Sequence, residues 1–142
     1  GSTEEKLQAA LNELCHQLNA GQGALYQVKG SDENKTLELT SSFALVLAEG
    51  EGTPSFHWGE GLIGDVAASG KSTYLDELPE GYSSRIESGL GSALPKFLFI
   101  FPIKKENESV GVIEIATFSN LSESKRQQVQ ESVSILADIN IR

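Results

Sequence analysis

Residues 97–118 run FLFIFPIKKENESVGVIEIATF, and the fold turns on this stretch. Phe97–Ile103 and Val110–Phe118 are apolar runs rich in β-branched and aromatic residues, flanking the polar segment Lys104–Ser109. That pattern spells a hairpin. A sheet with one wet face alternates apolar with polar residues. Here Phe97, Phe99, Phe101, Ile113 and Ile115 alternate instead with Leu98, Ile100, Val112 and Ala116, so both faces of the hairpin need a cover. Glu114 breaks the pattern, a carboxylate in mid-strand among apolar neighbours. Leaving it buried and unpaired would cost several kcal/mol, so a partner must meet it. Backbone amides of the middle segment, Trp58 or Arg85 are candidates within the chain; a hydrogen-bond donor on a ligand is the other.

Working outward from the hairpin, Ser122 can cap a final helix with Glu123 in its first turn and Val129, Val133, Leu136 and Ile139 on its inner face. At the other end, Ser2 and Glu5 have the spacing of a capping box, and Leu7, Leu11, Leu14 and Leu18 recur at helical intervals until Asn19-Ala20-Gly21 supplies a stop. Ala24–Lys29 and Thr36–Leu47 spell two strands joined by the turn Gly30–Asn34, too short a connection for anything but antiparallel pairing. Gly61–Ser69 forms a short helix closed by Gly70, with Thr73–Leu75 a very short strand after it. From Asp76 to Pro95 periodicity is lost, save for one helical turn near Ser83–Ser88; loops this long in a compact domain usually serve function.

The expected architecture is therefore α+β, a central antiparallel sheet of about five to six strands. The N- and C-terminal helices cover one face. A cover of short helix and loop lies over a pocket on the other, where pockets form most readily.

Composition narrows the function. A chain of 142 residues makes one domain, 1–142, and its single cysteine allows neither an internal disulfide nor a multi-cysteine zinc cage. Eleven basic against twenty acidic residues give a net charge of −9, which repels nucleic acid and anionic membrane. The longest apolar stretches, Phe43–Ala48 and Phe97–Phe101, fall far short of the roughly 18 residues that span a bilayer, so a cytoplasmic location is expected. Gly1-Ser2 has the look of a cleavage scar, and no Met occurs anywhere, as expected of a domain cut from a longer protein.

Motifs that suggest chemistry mostly fail on context. Gly59-Glu60-Gly61-Leu62-Ile63-Gly64 matches the dinucleotide fingerprint, but that needs a parallel strand before it, and the strands here are antiparallel. Gly70-Lys71-Ser72 lacks the glycine of a phosphate loop, since Asp65 stands there, and it ends a helix instead of opening one. Cys15 and His16 are adjacent on a helix and diverge by about 100°, which supports neither a metal site nor a nucleophile–base pair. His57 with Glu60 or Glu114 could form an acid–base couple, though no nucleophile accompanies it.

Three segments in order between two helices carry a resemblance: Gly23-Ala24-Leu25-Tyr26, Gly59–Ala67 and Gly111–Phe118. With Tyr74–Pro79 and Ser88–Pro95, they make nearly the whole chain resemble a GAF domain, similar to the bacterial GAF modules of sensor histidine kinases and chemotaxis-type signalling proteins. The resemblance implies a sheet with a ligand pocket on one side and signalling end helices on the other. Specialised branches of the family find no match. Ser119–Lys125 departs from the cyclic-nucleotide pattern, Cys15-His16 lies on the wrong helix for bilin attachment, and one cysteine is too few for methionine-sulfoxide reduction. The cofactor is unknown on this reading.

The expectation is a non-enzymatic, small-molecule-sensing module of a larger bacterial signal-transduction protein. It would pair as a homodimer through its terminal helices and pass its signal to a covalently linked effector domain. The pocket lining is expected to be Trp58, Tyr74, Tyr82, Ile86, Leu90, Val112 and Glu114. Two alternatives are a ligand-free dimerisation adaptor, with Tyr82, Ile86 and Leu90 filling the cavity, and a small-molecule enzyme using His57.

Overall fold

The computed structural model describes residues 3–30, 34–43, 55–77 and 95–138. Within them the order is α1 (Thr3–Leu18), β1 (Ala20–Lys29), β2 (Thr36–Phe43), β3 (Ser55–His57), α2 (Gly61–Ser69), β4 (Thr73–Leu75), β5 (Phe97–Lys105), β6 (Glu108–Thr117) and α3 (Glu123–Leu136). The six strands form one sheet in the order β3-β2-β1-β6-β5-β4, and every neighbouring pair is antiparallel. This is the expected α+β architecture.

The hairpin stands at its centre. β5 and β6 pair from Phe97↔Thr117 to Lys105↔Glu108, so the reversal is tighter than the six polar residues suggested. Only Glu106 and Asn107 turn, both with positive φ (51° and 71°), the left-handed pair that suits the twist of a two-residue hairpin. Alternation then sorts the side chains. Phe99, Phe101, Ile113 and Ile115 join Leu25 on one face, where α1 packs Leu7, Leu11, Leu14 and Leu18 and α3 packs Val129, Val133 and Leu136. Leu98, Ile100, Val112 and Ala116 join Ala24, Tyr26, Val28 and Leu37 on the other, beneath Ile63, Val66 and Ala67 of α2. Both faces are covered.

Local details fix the ends. The Ser122 hydroxyl accepts a 3.1 Å bond from the Lys125 amide, the cap expected at the start of α3. Gln8 on α1 bonds the sheet directly: its amide donates to the Ser42 carbonyl (2.8 Å) and its carbonyl accepts from the Ser42 amide (3.4 Å). It satisfies backbone that β3, paired only with Thr36–Glu38, does not reach. The exposed side of α3 is polar apart from Ile135, which is 63% exposed.

Some expectations shift. β1 begins at Ala20, because α1 closes on the single residue Asn19 (φ 52°) and the chain runs straight into the sheet. β3 is an additional edge strand. The Ser2 cap, Leu45 and Leu47, the helical turn near Ser83–Ser88, and Ile139 lie outside the described residues. No helix among the described residues is long and apolar enough to cross a membrane.

Candidate functional site

On the α2 face, the register sets a polar pair into an apolar sheet. Glu114 is 7% exposed and lies between Ala24 of β1 and Ile100 of β5. One step along, Gln22 of β1 is 1% exposed and faces Ala116 of β6. Cross-strand partners share a face, so a carboxylate and a carboxamide stand diagonally, separated by the small side chains of Ala24 and Ala116. Both residues make an interaction, yet the Gln22 carboxamide oxygen is buried with no hydrogen bond of its own. Small neighbours leave room above a sheet that bulky ones would fill.

α2 is held across the same face by its entry turn. Gly59 (φ 84°) and Gly61 (φ 64°) take the left-handed conformation that other residues resist, and the Gly59 amide donates to the Gly64 carbonyl at 3.0 Å. A side chain on Gly64 would collide with the His57 carbonyl, so the helix lies against β3 only because Gly64 has none. The glycines that mimic a nucleotide fingerprint are thus the joint that docks α2. Glu60 serves that joint too: its carboxylate accepts from the His57 amide at 3.0 Å. The His57 ring stays exposed, and the acid–base couple with Glu60 does not form.

Of the seven residues expected to line the pocket, Val112 and Glu114 share the α2 face of β6. Trp58 packs at the edge of the same core, where the Lys35 ammonium lies 4.5 Å from the centre of its ring. Tyr74 leaves the group. β4 pairs Tyr74 with Phe99, which turns its ring to the helix face, 5.7 Å from the ring of Phe99 and 5.8 Å from that of Phe101. Tyr82, Ile86 and Leu90 lie outside the described residues. Gln22 was not anticipated, because Ala20-Gly21 reads as a helix stop; its alternation with Ala24 and Tyr26 was the available signal.

A GAF domain family model matches residues 2–139. This chain belongs to the GAF domain family. GAF domains of this type are in general non-catalytic regulatory or sensor modules. A search of curated proteins finds no match. Among solved structures, the GAF domain of a phosphoenolpyruvate-protein phosphotransferase from Coxiella burnetii superposes with a TM-score of 0.76 at 20% identity, covering 98% of this chain and 82% of that one. The A. aeolicus nlh2 GAF domain in an inactive state gives 0.65 at 23% identity, with 96% and 81% covered. The type II free methionine-R-sulfoxide reductase of Thermoplasma acidophilum gives 0.69 at 15%, with 96% and 91% covered. These likenesses extend beyond kinase sensors and are likenesses of fold.

The one cysteine of this GAF domain is placed away from the α2 face. Cys15 is buried on α1 among the helix-face residues, and burial pushes its thiol up from 9.0 to about 12. It is a protonated packing group at neutral pH. Among the described residues, no cluster of His, Cys, Asp and Glu could hold a metal ion.

Proposed function

We propose that this GAF domain is a small-molecule-sensing module of a larger bacterial signal-transduction protein, working in the cytoplasm and coupled to a linked effector. The observation that carries the proposal is Glu114, a carboxylate buried in mid-sheet on the face opposite the terminal helices. A fold built only for stability has little use for it, since an apolar residue of similar volume would cost nothing to desolvate. Gln22 and Glu114 would take the donor groups of a polar ligand, with Val112 below and Trp58 to one side. Tyr82, Ile86 and Leu90 complete the expected lining.

Relay to α3 has a physical route at the edge of the sheet. The segment after α2 crosses from the pocket face to the helix face and is fastened there twice. The Ser72 hydroxyl donates to Gln130 of α3 at 2.8 Å. The Arg126 guanidinium lies 5.0 Å from the centre of the Tyr74 ring and also donates to the Leu121 carbonyl at 3.3 Å. Tyr74 is thereby reassigned, from lining the pocket to tying α3 to β4. A ligand that binds one placement of α2 more tightly than another would bias α3 by that difference in affinity. Pairing of two copies along the terminal helices would centre on Ile135.

Glu114→Gln keeps the shape and removes the charge. Once a ligand is identified, calorimetry should show its affinity for this variant reduced about tenfold or more, with the melting temperature little changed. Unaltered affinity would remove Glu114 from the site.

A further inference from the structure

The end of the α2 face away from Glu114 holds a recess. A cavity of about 300 Å³ opens between the last turn of α2, Trp58 and the start of β6, and its lining includes Lys35, Lys104, Asn107 and Ser109 but not Glu114. Two lysines line it in a chain with nearly twice as many acids as bases. Among the described residues, neither Lys35 nor Lys104 forms an ion pair. Lys35 rests on the face of the Trp58 ring, 4.5 Å from its centre. Lys104 lies beside Gly70 at the C-terminal end of α2, so close that a β-carbon there would stand 3.1 Å from its ammonium nitrogen. Glu108 lines the same cavity without pairing with either lysine. Ser109 is 5% exposed, which sets a hydroxyl in the wall.

We propose that this cavity is a second ligand site, for a small molecule carrying a carboxylate or phosphate group held between Lys35 and Lys104. Charge-assisted bonds from two ammonium groups are the strongest contacts the lining can offer, with Ser109 and Asn107 adding neutral donors. The limits are also in the wall. The α2 C-terminus presents carbonyl oxygens and Glu108 a negative charge, so a compact anion fits and a highly charged polyanion is disfavoured. The site stands independently of the Glu114 proposal, because no residue is shared between its cationic grip and the Gln22–Glu114 pair.

Trp58 is the only tryptophan in the chain, so its emission reports on this cavity and on the Glu114 side it borders, and Glu114→Gln separates the two. Sodium phosphate and sodium malonate should be titrated separately into the protein, with sodium chloride at matched ionic strength as the control. The proposal expects a saturable change in emission with phosphate, malonate or both, absent with chloride; the two arms show which anionic group is preferred. Lys104→Ala, at an exposed position, should weaken binding about tenfold, Lys104→Arg should largely retain it, and Glu114→Gln should leave it unchanged. A non-saturable response, one that chloride reproduces, or saturable binding indifferent to Lys104→Ala would overturn the site.

Discussion

Cys15 and Gly23 show how closely single residues are fitted beneath α1. A β-carbon on Gly23 would stand 2.5 Å from the Cys15 sulfur, so the strand approaches the helix only because residue 23 has no side chain. The same closeness desolvates the thiol and pushes it up to about 12. An unfolded chain releases that proton near its ordinary value of 9.0, whereas the folded one retains it to about 12. Between those values the folded state binds more protons than the unfolded state, so stability falls as pH rises. The slope contributed by one such group is at most about 1.4 kcal/mol per pH unit. Urea midpoints for the parent chain and Cys15→Ala, compared at about pH 8 and about pH 10.5, should show the larger alkaline drop in the parent. Equal drops would mean the thiol titrates as it does in water. Glu114 differs from Cys15 in kind: its burial on the α2 face could be foreseen from alternation alone, while the identity of its partners could not.

At the scale of elements, local pattern was enough wherever an element generates its own signal. The leucine spacing of α1, the Ser122 cap of α3 and the doubly apolar β5–β6 hairpin all appear in the sequence as they do in the fold. Elements defined by their neighbours were not legible. β3 is three residues long and exists because Thr36–Glu38 offers it a ladder. Tyr74 faces α3 because Tyr74 pairs with Phe99, a register that no distance along the chain discloses. Gln22 was hidden by the glycine beside it, since Asn19-Ala20-Gly21 looks like a break although β1 already starts at Ala20. The connection after α2 is the element on which the proposed relay depends. Ser72→Ala should lower stability by about 1 kcal/mol in chemical denaturation. Hydrogen exchange should quicken in α3 while the β5–β6 hairpin stays protected. Unchanged exchange in α3 would show that the Ser72–Gln130 contact tethers nothing.

The whole molecule is a sheet with two unlike covers. The helix face is closed by long amphipathic helices whose apolar stripes match Phe99, Phe101 and Ile113, and its only thiol is inert packing. Among the described residues, the α2 face is covered by nine residues of helix docked on a glycine joint, over a sheet that carries a buried carboxylate and carboxamide. That asymmetry is the reason to place sensing on one face and output on the other. Amide chemical-shift mapping of isotopically labelled protein against a panel of small polar metabolites tests it most directly. The account expects a compound whose saturable shifts fall on Gln22, Ala24 and Glu114, reach Gln130 and Arg126 in the same titration, and vanish in Glu114→Gln. Saturable binding that leaves those strand positions unmoved and survives Glu114→Gln would contradict it.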